Sequence, residues 1–428
     1  MKLFDELDVY VEVGGLTVRA GRLGASFVGG RSLGGSWFTY DQDYFSVAGA
    51  YELSPDLPRT HSRTYSGPDR ALFFAFQDLT PDDWGRMVMR AKLASDRQVG
   101  LNTPVVGDFD YLALASDESR LGAIRFASVG GSTWLSEVTV PELEVNGLAA
   151  FTGAAARFEE HEADERDLML LGAPGTSAGG ARPKVAARVG GELKMLKLPS
   201  SRDGGRDGEA WEFTAIQLAE QAGLEVQTGR LCRPAGMKST LVLYRFDRTE
   251  SGNRIGFISA RTAMELPDHT FNTATYEDFA DCVDMLTGGD RNQLRELFKR
   301  IAFTVLINNI DDHWKNHGFL RGECGWRLSP AFDVNPSPSI GSVSSRQINS
   351  KDDPRKRSIL SLVASKDAFG LSKGDAGHAL AEVLAPVRTW EKVAASVGIA
   401  EAEMKSMAPA FSTEQQQLAE REIARLIA

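Results

Sequence analysis

The sequence predicts an α+β fold, in which a mixed α/β amino-terminal portion precedes an all-helical carboxy-terminal lobe. Short runs of alternating apolar and polar residues, such as Val9–Val13, are typical of β-strands, and later strand-like segments are Glu192–Leu198 and Thr240–Phe246. A helical segment, Glu209–Gln221, lies between those two strands. From about residue 275 onward, apolar residues recur every three or four positions, which is typical of amphipathic helices.

Composition divides the chain into three parts. Residues 1–100 combine strand-like runs with a helix-like run after the turn Pro81–Gly85, and we interpret them as an amino-terminal α/β subdomain. Residues 101–248 hold strand-like segments separated by glycine-rich turns, which suits a lobe that cradles a nucleotide. Residues 249–428 form the helical lobe, within which the Ser- and Pro-rich segment 336–358 is expected to be a mobile loop.

Composition and charge exclude several classes of protein. The chain has 428 residues, of which 42% are hydrophobic and 25% charged, enough for two or three ordinary cores. Its formal net charge of -10 disfavours unaided binding to nucleic acid. No stretch approaches the roughly 18 apolar residues of a membrane span, and no cationic leader precedes an apolar core. Because Cys232, Cys282 and Cys324 lack a metal-binding spacing, we expect a cytoplasmic protein with reduced thiols.

The most restrictive pattern in the chain surrounds Asp311. Asn316 follows it by five residues, and Asp333 follows Asn316 by 17. Residues 318–320 and 326–328 can form a hairpin that returns Asp333 to Asn316. An aspartate, an asparagine five positions later and a second aspartate are the base and the two metal ligands of a protein kinase. Phosphoryl transfer is therefore the first hypothesis, with Asp311 as the base and Asn316 and Asp333 as Mg²⁺ ligands.

Other residues of the same loop have weaker assignments. Asp312 competes with Asp311, but adjacent loop acids are usually solvated, and the kinase spacing favours Asp311. His313 and His317 stand at helical i,i+4 spacing without a Glu-x-x-His arrangement, which favours loop-shaping roles over a metal pair. His313 and Lys315 are also candidates for contact with the nucleotide.

A second stretch, from Gly175 to Lys184, is rich in small residues. Small residues let backbone N–H groups approach phosphate oxygens, and Lys184 or Arg182 could add positive charge. The stretch alone is weak support, because the chain has 42 glycines and the stretch matches neither the Walker pattern nor the usual kinase loop. Its candidates for phosphate contact are Ser177, Ala178, Gly179, Gly180, Ala181 and Lys184.

The strand Glu192–Leu198 carries two lysines on opposite faces, since side chains alternate along a strand. Lys197, between two leucines, is the better candidate for pairing with ATP phosphates, whereas Lys194 would point outward. Two solvated edge lysines are the alternative. Glu212, near the start of the next helix, is either the partner of Lys197 or an ordinary acid near a helix N-terminus.

The segment Leu241–Arg248 suits a buried strand that leaves this lobe as a hinge, where its backbone could bond an adenine edge. Its charged residues could instead form a structural ion-pair cluster: Arg245, Asp247 and Arg248.

Five short motifs stand in order along the chain: Ser177–Lys184, Leu196–Pro199, Arg245–Arg248, Asp311–Asn316 and Ala331–Asp333. Together they resemble the HipA family of bacterial serine/threonine kinase toxins, over about residues 100–340. Gly122–Phe126 also resembles the amino-terminal half of that family.

The resemblance implies a protein-kinase-like fold of HipA type that uses ATP and Mg²⁺. The implied site consists of a catalytic base, two Mg²⁺ ligands, a phosphate-binding lysine and an adenine-binding backbone segment: Asp311, Asn316 and Asp333, Lys197, and Tyr244–Phe246. Family members also phosphorylate a serine of the glycine-rich loop, which expels the loop and silences the enzyme. Ser177 is the matching position, and its neighbour Thr176 is the less favoured alternative. A phosphate there would add nearly two negative charges beside those of ATP.

Partners follow from the same resemblance. Toxins of this family are usually neutralised by a small helix-turn-helix antitoxin, HipB, that binds operator DNA, and characterised members phosphorylate aminoacyl-tRNA synthetases. The resemblance thus implies a HipB-like partner, operator DNA bound only through it, and a protein substrate such as a synthetase. Residues 254–261 differ from the His-x-Glu-Asp stretch of the founding toxin, and Tyr244 replaces an acidic hinge residue. These departures place the chain in a divergent branch.

Two other classes of function stay open. One is a catalytically silent ATP-binding module that acts through the antitoxin–operator complex. Loss of the catalytic or metal-binding residues would favour it, but every candidate position carries a competent side chain. A metal-dependent phosphohydrolase using residues 311–313 would need a second set of closely spaced carboxylates or histidines, which the sequence lacks. A serine/threonine kinase toxin with inactivating autophosphorylation is the leading interpretation.

Overall fold

The structure is a computed structural model. It describes residues 3–98, 100, 105–136, 138–143, 147–172, 180–233, 236–267, 273–339, 346–353 and 357–428. Helices and antiparallel sheets are mixed along these residues, which confirms the predicted α+β class.

The chain forms two compact units. The first consists of Met1–Arg202, Arg233–Asp268 and Leu320–Glu323, and the second consists of Asp203–Cys232, His269–Phe319 and Cys324–Ala428. The division into three parts at residues 100 and 248 stays a prediction.

Strands are found in both units. Twelve lie in the part of the chain that the structure describes: β1 Glu6–Val13, β2 Leu16–Gly29, β3 Ser32–Tyr40, β4 Thr64–Tyr65, β5 Ile124–Ser128, β6 Lys184–Val189, β7 Glu192–Lys197, β8 Gly229–Cys232, β9 Thr240–Tyr244, β10 Phe257–Ser259, β11 Gly318–Gly322 and β12 Gly325–Leu328.

Helices dominate the carboxy-terminal half. The described residues include fourteen: α1 Phe74–Gln77, α2 Asp83–Gln98, α3 Asp108–Leu114, α4 Gly147–Glu159, α5 Glu165–Leu171, α6 Gly208–Gln221, α7 Ala260–Ala263, α8 Tyr276–Leu286, α9 Arg291–Leu306, α10 Ile359–Ala364, α11 Lys373–Val387, α12 Trp390–Val397, α13 Glu401–Met407 and α14 Thr413–Ile427.

The first unit is built on antiparallel strands. Five of them form a sheet in the order β4-β3-β2-β1-β5. Alternation along β1 buries Leu7, Val9 and Val11 completely on one face. In a second set β6 pairs with β7, and β7 pairs with β9. The strands predicted near residues 9, 192 and 240 are therefore confirmed.

Three helices of the first unit, α3 to α5, were not predicted from the sequence pattern. The start of α5 shows why, since its signal is a cap rather than an apolar stripe. The Asp164 carboxylate accepts from the backbone N–H of Asp167 at 2.9 Å, and the Asp167 carboxylate accepts from that of Asp164 at 3.2 Å. Such reciprocal capping satisfies donors that a helix N-terminus leaves open.

The second unit is mainly helical and centres on α9. Leu297, Phe298 and Ile301 of α9 are fully buried, as the three- and four-residue periodicity predicts. Helix α6 begins just after Asp207, whose carboxylate accepts from the backbone N–H of Ala210 at 3.3 Å. Strands β11 and β12 are neighbours, so the predicted hairpin is formed. None of the helices in the described ranges is long and apolar enough to cross a membrane.

A buried ion cluster stabilises the first unit around Asp247. Its carboxylate accepts two hydrogen bonds from Arg245, both at 2.6 Å, one from Arg248 at 2.5 Å, and one from the backbone N–H of Gly122 at 2.7 Å. Burial alone would raise the pKa of Asp247, but the two arginines outweigh it and hold that pKa below its usual range. The structural ion-pair cluster considered for these residues is therefore formed.

Replacing Asp247 should destabilise the first unit strongly. Asp247→Asn leaves two buried guanidinium groups without their countercharge, so the free energy of unfolding should fall by about 3–5 kcal/mol. Urea unfolding followed by fluorescence measures the change. The control is Glu6→Gln, which removes a partly exposed pair with Arg22 and should cost less than about 1 kcal/mol. Equal unfolding midpoints for the two variants would contradict the role given to the cluster.

Candidate active site

Helix α9 ends at Leu306 and leads into the candidate catalytic loop, residues 309–316. Asn308 turns the chain with a φ of 49°, a left-handed conformation that asparagine adopts more readily than most residues. Its side-chain amide donates to the carbonyl of Ser337 at 2.7 Å and to that of Ser339 at 3.0 Å. This turn fixes where the catalytic loop begins.

Trp314 anchors the middle of the catalytic loop. Its side chain is fully buried, and its ring centroid lies 5.4 Å from that of Tyr276 and 5.6 Å from that of Phe279, both in edge-to-face geometry. The residues on either side, His313 and Lys315, are half-buried. Trp314 therefore anchors the loop in the core, whereas its neighbours His313 and Lys315 remain partly accessible to solvent.

The adjacent acids Asp311 and Asp312 have opposite environments. The Asp311 side chain is 67% exposed, whereas that of Asp312 is only 3% exposed. This differs from the solvated environment expected for adjacent loop acids. Because a buried carboxylate cannot meet an incoming hydroxyl, Asp311 is the accessible carboxylate of the pair and the candidate base.

Asp312 is held by three side chains from other parts of the second unit. Its Oδ2 accepts from Nη1 of Arg357 at 2.5 Å and from the Tyr276 hydroxyl at 2.5 Å, and its Oδ1 lies 2.8 Å from Nε2 of His317. Burial alone would raise the pKa of Asp312. The His317 hydrogen bond and the Arg357 charge outweigh burial and hold that pKa below its usual range. Asp312 is thus an ionised carboxylate inside the protein.

Asn316 closes the catalytic loop with its amide in a fixed orientation. Its Nδ2 donates to the backbone carbonyl of Asp311 at 3.0 Å, and its backbone N–H donates to the carbonyl of His313 at 2.7 Å. Because the nitrogen end of the amide is used in this way, the oxygen end is the one that can bind a cation.

Asp333 is positioned by a backbone bridge two residues earlier. Ala331 donates to the carbonyl of Glu225 and accepts from the N–H of Gln227, both at 2.7 Å. Asp333 itself has a φ of 56°, and its Oδ1 accepts from Nδ2 of Asn335 at 2.9 Å. A left-handed aspartate costs conformational energy and is held here by its neighbours, which is common at functional sites.

Asn316 and Asp333 line one cavity together with Asn309. The Oδ1 atom of Asn309 is buried and has no hydrogen-bond partner among the residues that the structure describes. Amide and carboxylate oxygens are hard donors, and Mg²⁺ needs only one or two carboxylates because water and phosphate complete its coordination. The residues present therefore fit Mg²⁺, although the described residues contain no group of three or more His, Cys, Asp or Glu suited to a metal.

His313 is half-buried next to the candidate base Asp311. Its Nε2 is 3.9 Å from Oδ1 of Asp311, too long for a hydrogen bond. Burial lowers the pKa of His313 despite the nearby carboxylates Asp311 and Asp333. Burial therefore favours the neutral form of the imidazole.

In the first unit, Lys184 and Lys197 face each other across β6 and β7. They are direct partners in the antiparallel register, so their side chains share one face of the sheet, and both are buried. Lys184 forms an ion pair with Asp82 at 2.8 Å. Two buried ammonium groups on one face suit an anionic ligand.

Gly180 directly follows the part of the glycine-rich stretch that lies outside the described residues, to which Ser177, Ala178 and Gly179 belong. Gly180 has a φ of 111°, which a side chain would not tolerate, and its carbonyl accepts from the N–H of Trp84 at 3.5 Å. Ala181 follows it, half-buried, just before β6.

The candidate hinge residues follow β9. Tyr244 is 41% exposed and pairs in register with Lys194, whose Nζ lies 4.1 Å from the centre of the Tyr244 ring. Lys194 is consequently more covered than expected of an outward residue. Phe246 packs its ring 5.9 Å from that of Phe257. Glu212 is buried on α6 in the second unit.

The structure brings the catalytic-loop candidates and Asp333 together within the second unit, and Lys184 and Lys197 together within the first. Sequence patterns assigned no role to Asn309 within the loop, and they missed Tyr276 and Arg357, which contact the loop, and Asn335, which contacts Asp333. Tyr276 and Arg357 had no local signal, because they reach the loop from 36 and 45 residues away.

Comparison with known proteins identifies the family. Residues 176–411 match the profile of the HipA-like C-terminal domain, and residues 19–127 match that of the HipA N-terminal domain. A provisionally named kinase of Sinorhizobium fredii is 27% identical over 168 residues, 36% of this chain and 40% of that protein. A provisionally named kinase of Haemophilus influenzae is 26% identical over 144 residues, 30% of this chain and 42% of that protein. The matches thus span less than half of these curated relatives.

A solved structure shows the same fold over nearly the whole chain. It comes from the complex of the Shewanella oneidensis toxin–antitoxin proteins HipA and HipB with their operator DNA. The TM-score is 0.65 at 19% identity, with 98% of this chain and 99% of that chain covered. The HipA-type fold predicted from the motifs is confirmed. With one family profile spanning more than half of its length, the chain belongs to the HipA family.

Proposed function

We propose that the chain is an ATP- and Mg²⁺-dependent serine/threonine kinase that acts as the toxin of a type II toxin–antitoxin system. The main support is that Asp311 is exposed beside a buried Asp312, and that Asn316 and Asp333 line the same cavity. A kinase needs an accessible carboxylate and hard oxygen ligands for a divalent ion within one small site.

Asp311 acts as the catalytic base in this proposal. It accepts the proton of a serine or threonine hydroxyl while the hydroxyl oxygen bonds to the γ-phosphorus. The bond between that phosphorus and the leaving oxygen of ADP breaks in the same displacement. The exposed side chain of Asp311 lets a protein substrate reach it.

Asn316 and Asp333 are the proposed Mg²⁺ ligands. When bound, the ion would neutralise charge on the ATP phosphates. The amide of Asn316 is pre-oriented by the carbonyl of Asp311, so the same loop sets both the ligand and the base. His313 and Lys315, in that loop, are proposed nucleotide contacts.

Lys197 and Lys184 are the proposed phosphate contacts of the first unit, together with the loop that ends at Gly180 and Ala181. The backbone of Tyr244–Phe246 is the proposed adenine contact, and Glu212 the proposed partner of Lys197. The shared sheet face of Lys184 and Lys197 supports the assignment of both lysines as phosphate contacts.

The proposed partner is a small helix-turn-helix antitoxin like HipB, with operator DNA bound through it. The Shewanella oneidensis relative was crystallised with HipB and operator DNA, and the net charge of -10 on this chain disfavours direct DNA binding. The proposed substrate is a translation component such as an aminoacyl-tRNA synthetase, met in the cytoplasm. Phosphorylation of Ser177 by the enzyme itself would act as an off-switch, since phosphate adds nearly two negative charges.

Asp311→Asn should abolish phosphoryl transfer without unfolding the chain. Loss of a general base lowers the transfer rate by about 10²- to 10⁴-fold, while the dissociation constant for ATP stays unchanged. Intact-mass spectrometry after incubation with Mg²⁺ and ATP, followed by peptide mapping, should show a phosphate on Ser177 in the wild type and none in the variant.

The matched control for this measurement is Asp281→Asn, which neutralises an exposed aspartate on α8 and should leave transfer unchanged. Transfer at the wild-type rate by Asp311→Asn would contradict the role of Asp311. Wild type that binds ATP but phosphorylates neither itself nor any cell-extract protein would favour the silent binding module instead.

Lys197→Met should weaken ATP binding specifically. Loss of a charged hydrogen bond to phosphate costs about 1.5–3 kcal/mol, which corresponds to about 10- to 100-fold in the dissociation constant. Isothermal titration with ATP and Mg²⁺ measures it. Lys194→Met, on the opposite face of the same strand, is the control and should bind as wild type does. Equal affinities for the two variants would remove Lys197 from the site.

A further inference from the structure

Arg357 contacts the candidate catalytic loop at two points. Its Nη1 donates to Oδ2 of Asp312 and its Nη2 donates to the backbone carbonyl of Asn309, both at 2.5 Å. The Arg357 side chain is 5% exposed. Asp311 lies between these two points along the chain, so one guanidinium group holds the loop on both sides of the candidate base, through the backbone of Asn309 and the side chain of Asp312.

The second anchor reaches Asp311 itself. The Asn316 side chain donates to the carbonyl of Asp311, which fixes the peptide plane that follows the base. The backbone that carries the exposed carboxylate is therefore held at the carbonyls of residues 309 and 311 and through the side chain of residue 312. An arginine suits the contacts with Asp312 and Asn309 because its N–H donors point in fixed directions from a rigid, planar group. A lysine would offer a single point charge.

The acceptor side of the Arg357 contact is built from unmodified residues. Asp312 carries the negative charge, and Tyr276 and His317 occupy further positions on its two oxygens. In many protein kinases an activation loop becomes ordered only when an arginine pairs with a phosphorylated residue. In this chain the negative charge that pairs with the arginine is the carboxylate of Asp312, which belongs to the candidate catalytic loop itself.

We propose that Arg357 is a positioning residue for Asp311, and that its pair with Asp312 holds the catalytic loop in its working conformation without prior phosphorylation. The inference rests on the proposed kinase function. It assigns Arg357 no contact with ATP or substrate, so its effect should fall on turnover rather than on nucleotide binding.

The test compares Arg357→Gln, Arg357→Lys and Arg357→Ala with wild type as full chains. For Arg357→Gln, kcat should fall about 10- to 100-fold, because a small displacement of a catalytic group has effects of this size. The dissociation constant for ATP should not change. Arg357→Lys should recover part of kcat, and guanidinium ions below denaturing concentration should raise kcat of Arg357→Ala.

Two controls separate positioning from folding. Arg388→Gln removes an exposed pair with Glu420 in the same unit and should leave kcat unchanged. Hydrogen–deuterium exchange of the peptide that covers residues 309–316 should be faster in Arg357→Gln, with wild-type exchange in α9 and α11. Exchange that rises throughout the second unit would indicate general unfolding and would overturn a specific positioning role.

The remaining outcomes distinguish this inference from the proposed function. Equal kcat for wild type and Arg357→Gln would overturn the inference and leave the kinase function standing. A lag in phosphate transfer by the wild type that disappears after preincubation with ATP would show that the catalytic loop needs prior phosphorylation. That result would overturn the second half of the inference. If wild type transfers no phosphate, the kinase function fails, and unchanged loop exchange in Arg357→Gln would then also reject the positioning of the loop by Arg357.

Discussion

The ionised carboxylate of Asp312, buried within the second unit, is the constraint on which the candidate active site depends. A buried charge is costly unless it is paired and hydrogen-bonded, and Asp312 meets that requirement through Arg357, Tyr276 and His317. Its partners come from α8, from the residue that follows the catalytic loop and from the segment before α10. One carboxylate therefore ties three separate parts of the chain to the same short loop.

The geometry of the neighbouring residues follows from that constraint. With Asp312 turned inward and Trp314 packed in the core, Asp311 is directed to solvent and Asn316 returns to bond its carbonyl. Asp333 reaches the same cavity by a separate route, through the backbone bridge at Ala331. The candidate base and the two candidate oxygen ligands thus owe their placement to contacts outside the proposed chemistry, which is the usual relation between a functional site and the residues that support it.

Much of this arrangement could be predicted from the sequence, and the exceptions have physical reasons. Helix α9 carries clear three- and four-residue periodicity, the sequence also indicates strand β7 and helix α6, and the spacing of Asp311, Asn316 and Asp333 matches that of a kinase base and its metal ligands. The burial of Asp312 could not be predicted, because it depends on Arg357 and Tyr276, which are distant in sequence. Lys194 was expected outward, but the ring of Tyr244 on the neighbouring strand covers it. The α5 helix was missed because its start is marked by a cap and not by an apolar stripe.

A crystal structure of the chain with Mg²⁺ and a non-hydrolysable ATP analogue would test the proposed active site most directly. We predict Mg²⁺ bound by the Asn316 amide oxygen and the Asp333 carboxylate at about 2.0–2.1 Å, with the Asp311 carboxylate facing the γ-phosphate and Asp312 still paired with Arg357. A nucleotide bound elsewhere, or an ion held by other residues while Asp311 points away from the phosphate, would contradict it.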